Sequence, residues 1–336
     1  MVATPQLKIF MYHASITAVE YHLPARILSN KELEQCFPEW PARKIEEKLG
    51  ISSRFIAADS ECSSDMAVAA AHKLFEVGSC KPSEIDFVLF CTQTPDYLLP
   101  TSACLIQDRL GIPKSAGALD FNLGCSGYVY GLGLAKGLIE TGQATNLLLL
   151  TGETYSKLLI PDDKATRTLF GDAGSATLVS STENETVQLG PFIYGTDGSG
   201  AKHLIVRQGG MREPGPPLSD SNGLYMNGGE IFAFGVREIS TAVDALMAKS
   251  ETSMGSIDLF VFHQANSYML DFLRLKCGIP ADKFYMHYST TGNTVSNTIP
   301  IALHHAIRDG KIRQGDTVML VGFGVGLSWG ACLARF

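Results

Sequence analysis

The chain has 336 residues, of which 45% are hydrophobic and 18% are charged. A chain of this length folds into about two domain-sized units with substantial cores, and its composition excludes disorder as the main state. The net charge is −7, and no run of five or more basic residues occurs, which argues against a nucleic-acid-binding protein. Because we find neither a signal peptide pattern nor an apolar run of roughly 18 residues, we expect a cytoplasmic protein without a membrane span.

Short apolar runs alternate with helical stretches, which predicts an α/β fold with covered sheets. The stretch after Cys125 is apolar nearly all round and should form a helix buried between layers. The Gly-, Pro- and Ser-rich segment 207–223 predicts a long loop of the kind that covers sites. In chain order, we expect helices over 64–78, 104–111, 228–250 and 299–310, a strand end, turn and helix over 121–142, and buried strands within 84–91 and 256–263.

Eight cysteines occur without a CxxC pair, which gives no support for a zinc ribbon or a thioredoxin motif. In a chain without an export signal we expect reduced thiols, most of them buried as small apolar groups.

Three pairs of similar segments recur at nearly constant offsets of 172, 167 and 171 residues. This shared order and spacing favours a duplicated unit over chance similarity between apolar strands. We therefore divide the chain into halves over 1–185, with Cys125, and 186–336, with His263 and Asn293. The paired segments are EIDFVLFC (84–91) with SIDLFVFH (256–263), DRLGIP (108–113) with LKCGIP (275–280), and LLLLTGE (147–153) with VMLVGFG (318–324).

Cys125, His263 and Asn293 stand at related positions of these halves. Cys125 lies between an apolar strand and a helix, whose N-terminus favours a thiolate and hence a nucleophile. His263 closes a buried strand, as Cys91 does in the first half, and Asn293 lies 168 residues beyond Cys125. Taken alone, Cys125 is typical of a buried core thiol and His263 of a histidine whose hydrogen bonds are satisfied. Asn293 alone is typical of a turn asparagine. Pseudo-symmetric packing of the halves would bring the three together.

The run VGFGVGLSWGA (321–331) follows an apolar strand. Its backbone N–H groups could bind an oxyanion, and a tight hairpin is the alternative interpretation. It lacks the lysine of a phosphate-binding loop and the long helix of a dinucleotide site.

Together, NLGCSG, HQAN, GNTVSN and GFGVGLSWG resemble motifs of the thiolase-fold condensing enzymes. The chain is most similar to the β-ketoacyl-acyl carrier protein synthase III branch, from residue 29 to the C-terminus. The resemblance implies a thiolase-like, five-layered αβαβα fold from two duplicated halves, and a homodimer. It implies acyl-CoA and malonyl-CoA or malonyl-acyl carrier protein as substrates, acyl carrier protein as a candidate partner, and no metal or other cofactor.

The resemblance also implies an acyltransferase that performs a decarboxylative Claisen condensation. Cys125 would carry the acyl group, neutral His263 and Asn293 would donate hydrogen bonds to the malonyl thioester, and the Cys125 and Val325 amides would form an oxyanion hole. The product would be a β-ketoacyl thioester for fatty acid or specialised lipid or polyketide synthesis. The implied acyl-pocket residues are Leu99, reaching into the partner subunit, Phe232 and Phe323, and the implied CoA- or pantetheine-binding residues are Trp40, Lys48, Lys164 and Asn266.

Several positions depart from the family's usual residues. Val325 stands where glycine is common, and Lys164 stands where arginine is common, with charge but without bidentate geometry. Tyr268 and Ala233 replace two basic residues of carrier-protein docking. These departures favour a specialised relative, although nearby basic residues could compensate, namely Arg237, Arg274 and Lys276.

Four other functions remain open from the sequence. A hydroxymethylglutaryl-CoA synthase would need a glutamate base roughly where Gln93 lies, and an amide cannot take a proton. Acyl transfer to an alcohol or amine would need His263 as a base and would depend less on Asn293. A cysteine hydrolase fits the residue types but not their order and glycine contexts. A catalytically silent partner subunit is disfavoured because Cys125, His263 and Asn293 are all intact.

Overall fold

The computed structural model describes residues 12–183, 187–215 and 222–336. Its helices include the predicted ones, within two residues at each end. The strands are β1 (His13–His22), β2 (Arg26–Ser29), β3 (Ser53–Ile56), β4 (Phe87–Cys91), β5 (Gly117–Phe121), β6 (Asn146–Glu153), β7 (Ala173–Thr182), β8 (Leu189–Thr196), β9 (Leu204–Val206), β10 (Leu224–Met226), β11 (Leu259–Phe262), β12 (Thr317–Gly324) and β13 (Ser328–Arg335). The helices are α1 (Asn30–Cys36), α2 (Ala42–Leu49), α3 (Ser63–Glu76), α4 (Ser102–Arg109), α5 (Gly127–Glu140), α6 (Lys164–Arg167), α7 (Gly228–Ser250), α8 (Ser267–Lys276) and α9 (Thr298–Arg308).

Two mixed sheets have matching strand orders. The first runs β1-β7-β6-β4-β5, and the second runs β8-β13-β12-β11. Strand β6 pairs parallel with β4 and antiparallel with β7, just as β12 pairs parallel with β11 and antiparallel with β13. Among the residues that the structure describes, the second sheet has no full counterpart of β5, and a single parallel bridge joins Phe260 to Phe284 at that edge. The predicted boundary at 185/186 lies outside the described residues, in the interval from β7 to β8, and the duplication itself stays a prediction.

Helices cover both sheets in three layers. Helices α3 and α4 pack on strands of the first sheet, and α7 packs on strands of the second sheet and on α8. Helices α5 and α9 lie between the sheets, and α5 contacts strands of both. This is the expected five-layered αβαβα arrangement. The all-round apolar character of α5 follows from it, because both of its sides bury apolar groups, each worth about 1.5–3 kcal/mol for a leucine-sized side chain.

A buried arginine on β3 ties the antiparallel β2–β3 pair to α1 and to the segment before β7. The Arg54 side chain is 0% exposed and donates to the Leu28 carbonyl at 3.3 Å, to Oδ1 of Asn30 at 2.7 Å and to the Thr168 carbonyl at 2.8 Å. Burial lowers the pKa of this guanidinium to about 10, so it stays charged at neutral pH. The β2–β3 pair, α1 and the segment before β7 are thereby held together.

Two expectations need correction or restriction. All eight cysteines are free thiols, but only Cys91, Cys125 and Cys332 are buried, so the expectation that most are buried is wrong. Cys36 and Cys104 are exposed because they lie on the solvent faces of α1 and α4. Residues 216–221 of the predicted loop lie outside the described residues. Within the described chain, no helix is both long and apolar enough to span a bilayer.

Candidate active site

Cys125 occupies a tight turn between β5 and α5. It is 6% exposed, and α5 begins two residues later, at Gly127. Glycine is required on both sides of the cysteine, because the backbone packs closely against neighbouring side chains. A Cβ on Gly124 would lie 2.6 Å from Oε1 of Gln93, and a Cβ on Gly127 would lie 2.3 Å from Sγ of Cys91. The glycines around Cys125 in the sequence therefore reflect close packing of this turn.

The end of β12 packs directly against the cysteine. A Cβ on Gly322 would lie 2.8 Å from the Cys125 carbonyl oxygen, and one on Gly324 would lie 2.9 Å from Cys125 Cβ. The next residue, Val325, comes within 2.8 Å of a Cβ built on Gly124. The terminal glycine run is thus a hairpin between β12 and β13, and it also packs against Cys125. Neither the Cys125 nor the Val325 amide donates to a backbone carbonyl in the described chain.

His263 and Asn293 meet in the interior. The His263 N–H donates to the Val321 carbonyl at 2.7 Å, which holds it at the end of β11. Its Nε2 lies 3.4 Å from Nδ2 of Asn293, and its Nδ1 lies 2.7 Å from Oγ1 of Thr298. The carboxamide of Asn293 is oriented because its Oδ1 accepts the Val295 N–H at 2.9 Å, which leaves Nδ2 towards the imidazole.

The three predicted side chains converge through shared neighbours. The Phe323 ring packs edge-on against the His263 imidazole, with 5.4 Å between the ring centroids, and the following Gly324 approaches the cysteine. A Cβ on Gly124, beside the cysteine, would lie 3.3 Å from the Val295 side chain, whose N–H orients the asparagine. The structure therefore brings the thiol, the imidazole and the carboxamide into one site.

Burial controls the ionisation of the thiol and the imidazole. It lowers the pKa of His263 to about 3, so the imidazole is neutral at neutral pH. Burial first, and then the charge of Glu153, raises the pKa of the Cys125 thiol well above its usual value. The expectation that the helix N-terminus favours a thiolate is therefore wrong for the free protein. Loss of hydration outweighs the helix field, and the cysteine precedes the first helical residue by two positions.

Sequence reasoning missed Glu153, the last residue of β6. Its side chain is 0% exposed, and burial raises its pKa to about 8, against the effect of its hydrogen bonds. It accepts from the Gln93 N–H at 3.1 Å, the Thr94 hydroxyl at 3.4 Å and the Ser296 hydroxyl at 3.0 Å. The carboxyl thus joins the loop after β4 to the loop that carries Asn293. A glutamate closing the apolar run LLLLTGE is the sequence signal that could have found it.

The side-chain amide of Gln93 makes hydrogen bonds through both its oxygen and its nitrogen. Its Oε1 accepts the Tyr155 hydroxyl at 2.5 Å, and its Nε2 donates to Oδ1 of Asn122 at 3.1 Å. It lies beside Gly124, next to the thiol, and offers no basic group there.

The predicted acyl-pocket residues occupy three different environments. Phe323 is buried against His263. Phe232 is half-buried on α7 and stacks on Tyr268, with 5.2 Å between ring centroids. Leu99 is 82% exposed in the loop after β4.

The predicted CoA-binding residues gather around one tryptophan. Trp40, Lys48 and Asn266 line a cavity of about 630 Å³ between α2 and α8. The Lys48 and Lys164 ammonium groups lie 5.4 Å and 5.6 Å from the Trp40 ring centroid, and Lys44, which sequence reasoning missed, lies at 5.4 Å. Asn266 also caps α8, because its Oδ1 accepts the Met269 N–H at 3.0 Å. Lys164 also pairs with Glu39 at 3.1 Å, and the acidic Glu47 and Asp271 share the lining of the cavity.

The surface around Tyr268 has fewer free basic groups than the sequence suggests. Tyr268 is 63% exposed. The guanidinium of Arg237 pairs with Glu238 at 2.6 Å, and that of Arg274 lies 3.9 Å from Asp271, while Lys276 is exposed.

Comparisons with known proteins agree with this fold and site. The family described as 3-oxoacyl-[acyl-carrier-protein] synthase III matches residues 119–198, and its C-terminal part matches residues 247–336. Beta-ketoacyl-[acyl-carrier-protein] synthase III of Clostridium perfringens is 35% identical over 97% of this chain and 100% of the relative. The namesake of Chlamydia caviae is 38% identical, with 96% of each chain covered.

Solved structures give the same result. A crystal structure of 3-oxoacyl-(acyl-carrier-protein) synthase III has a TM-score of 0.94 and 51% identity, covering 96% of this chain and 100% of that one. The priming beta-ketosynthase of the R1128 polyketide pathway has a TM-score of 0.89 and 28% identity, with 99% of each chain covered. A thiolase-like fold with a cysteine, a histidine and an asparagine in one site defines the class as a condensing acyltransferase. Within that class, the chain belongs to the beta-ketoacyl-[acyl-carrier-protein] synthase III family.

Proposed function

We propose that this chain joins an acyl thioester to a malonyl thioester by decarboxylative Claisen condensation, through an acyl group on Cys125. The observation that carries the proposal is the convergence of the buried thiol with two neutral side chains, His263 and Asn293. It is supported by family membership along nearly the whole chain.

The first half-reaction acylates the cysteine. Sγ of Cys125 attacks the carbonyl carbon of the acyl thioester, and the thiol proton ends on the departing thiolate, so no net base is consumed. The tetrahedral oxyanion would be held by the Cys125 and Val325 amides. The high pKa of the thiol means that its proton leaves only as the attack proceeds.

The second half-reaction forms the carbon–carbon bond. Loss of carbon dioxide from the malonyl group leaves an enolate, whose oxygen would be held by Nε2 of His263 and Nδ2 of Asn293. The enolate carbon attacks the acyl-Cys125 carbonyl, and the β-ketoacyl thioester leaves while the cysteine regains a proton from solvent. A donor aimed at developing charge is typically worth roughly 3–4 kcal/mol. A neutral imidazole suits this role because its N–H group can donate at neutral pH without any change in the protonation of His263.

Substrate binding and assembly complete the proposal. Acyl-CoA and malonyl-CoA or malonyl-acyl carrier protein would place their pantetheine arm along the cavity beside Trp40, without a metal or other cofactor. Strand β5 lies at an open edge of its sheet, and the nearby Leu119 and Leu99 are 40% and 82% exposed. We propose that this edge pairs with a second copy, so that Leu99 enters the partner's acyl pocket, in a cytoplasmic homodimer. The weakly basic docking surface favours a specialised lipid or polyketide product.

The test separates the two half-reactions. The protein is mixed with acyl-CoA donors of increasing length, and acylation is measured by intact mass spectrometry. Malonyl-CoA or malonyl-acyl carrier protein is then added, and carbon dioxide and β-keto product are measured. Acylation followed by both products supports condensation. Transfer of the acyl group to an alcohol or amine, with no response to any malonyl donor, would instead establish simple acyl transfer. If no donor acylates the protein, the remaining interpretation is a catalytically silent partner subunit.

A further inference from the structure

Thr298 touches the ring nitrogen of His263 that faces away from Asn293. It is the first residue of α9, is 2% exposed, and places its Oγ1 2.7 Å from Nδ1. In a neutral imidazole, the hydrogen bond made by one nitrogen decides which nitrogen carries the proton. Thr298 is therefore placed to decide whether Nε2 can donate.

The hydroxyl has one proton and two acceptors within reach. Nδ1 of His263 lies at 2.7 Å, and the Val295 carbonyl oxygen lies at 3.1 Å. The shorter distance is typical of a hydroxyl donor, whereas an N–H donor is more often found at about 2.9–3.0 Å from oxygen. A hydroxyl that donates to Nδ1 leaves the imidazole proton on Nε2.

The other side of the ring faces an amide donor. Oδ1 of Asn293 is occupied by the Val295 N–H, so Nδ2 is a donor directed at the imidazole. With a proton on Nε2, two donors face each other at 3.4 Å and share no acceptor. An oxygen with developing negative charge would satisfy both at once.

A strained residue holds both parts of this arrangement. Val295 has φ of 57°, in the left-handed region that β-branched residues rarely adopt. Its N–H orients Asn293, and its carbonyl lies beside the Thr298 hydroxyl. The strain is located where the two donors are aligned.

We propose that Thr298 is a positioning residue that holds His263 in the tautomer with the proton on Nε2, so that Nε2 and Asn293 Nδ2 donate together to the enolate oxygen. The proposal rests on the proposed function for its consequence, but its structural content is the tautomer of one imidazole. It assigns Thr298 to the condensation half-reaction and not to acylation of Cys125.

The test compares Thr298→Val, which removes the hydroxyl at similar volume, with Thr298→Ser, which keeps it. The matched control is Thr177→Val, because Thr177 is also buried and shares a hydrogen bond with the Tyr128 hydroxyl at 3.1 Å. Nitrogen-15 NMR of histidine-labelled protein reports the His263 tautomer, with the signal assigned by its loss in His263→Ala. Acylation and malonyl-CoA decarboxylation are measured separately, with thermal unfolding as a check on folding.

We expect the proton on Nε2 in the wild type and in Thr298→Ser. In Thr298→Val we expect a mixture of tautomers and a roughly 100-fold slower decarboxylation, as for the loss of one donor to a developing oxyanion. Acylation should stay within about twofold, because it does not use the His263 donor. Thr177→Val should change neither the tautomer nor decarboxylation.

A proton on Nδ1 in the wild type would overturn the proposal without any variant. An unchanged tautomer in Thr298→Val would overturn it equally, as would equal losses of decarboxylation in Thr298→Ser and Thr298→Val. If the wild type neither becomes acylated nor decarboxylates malonyl-CoA, the proposed function fails. The NMR spectra would still decide the role of Thr298 in that case.

Discussion

Replacing Glu153 with glutamine should change how the stability of the protein depends on pH. The carboxyl is fully buried among three hydrogen-bond donors. Burial raises its pKa from 4.5 to about 8 in the folded protein. Between these two values, the unfolded chain is ionised at this position while the folded chain retains the proton. The folded state therefore loses relative stability as the pH rises through this interval.

The loss of stability can be calculated from the difference between the pKa values of Glu153 in the unfolded and folded states. Each pKa unit between the folded and unfolded states corresponds to about 1.4 kcal/mol, so the full interval corresponds to roughly 4–5 kcal/mol. Below pH 4.5 both states are protonated, and above about pH 8 both are ionised, so the difference is constant outside the interval. Glu153→Gln removes this titration. The substitution also lowers the free energy of unfolding by about 1–3 kcal/mol at every pH, because the buried amide matches the surrounding hydrogen-bond donors poorly.

Urea unfolding followed by circular dichroism would measure this difference. The free energy of unfolding is determined at one protein concentration from pH 5 to 8, for the wild type and for Glu153→Gln. The variant should gain about 3–5 kcal/mol relative to the wild type across that range. The control is Glu47→Gln, which removes an exposed carboxylate paired with Arg43 and should run parallel to the wild type. If the free energy of unfolding depended on pH in the same way for Glu153→Gln and the wild type, the conclusion that Glu153 is protonated in the folded protein would be refuted.

Four further predictions concern the site and its support. Cys125→Ala should abolish the mass gain on incubation with acyl-CoA, and undiminished acylation would contradict the mechanism. Asn293→Ala should retain acylation but slow carbon dioxide release about 10²–10³-fold, because one donor to the enolate is lost; equal losses in both half-reactions would contradict the separate roles. Gly324→Ala should slow acylation, because the new methyl would lie 2.9 Å from Cys125 Cβ, whereas Gly137→Ala, with nothing within 4 Å, should leave acylation rates unchanged. Arg54→Met should lower the free energy of unfolding by about 3 kcal/mol, measured in urea, because three buried acceptors lose their donor; an unchanged value would show that these acceptors find other partners.

The fold was predictable because its signals are local. Apolar runs of strand length, such as those at β4 and β11, and the helical patterns of α3, α7 and α9 are set by side-chain periodicity along the chain. The similar offsets between the repeats also anticipated the matching strand orders of the two sheets. The match is incomplete at β5, because in the part of the chain that the structure describes the second half has the Phe260–Phe284 bridge where the first half has a strand. Pairing at a sheet edge depends on neighbours distant in sequence.

The ionisation of the site was not predictable in the same way. A helix following Cys125 favours a thiolate, yet burial raises the pKa of this thiol. The burial arises from β12, whose Gly322 and Gly324 pack against the cysteine from about 200 residues away in the chain. Glu153 and Thr298 escaped notice for the same reason, since each acquires its role only from contacts between separate segments.

The amino-acid sequence by itself determined the layered α/β fold and the family, and it predicts the nucleophile, because these depend on periodicity and on short motifs with fixed local geometry. The tertiary structure alone decided which side chains lose their hydration and which hydrogen-bond partners surround the His263 ring. Hydration is lost, and hydrogen-bond partners are acquired, only when distant segments close around a side chain.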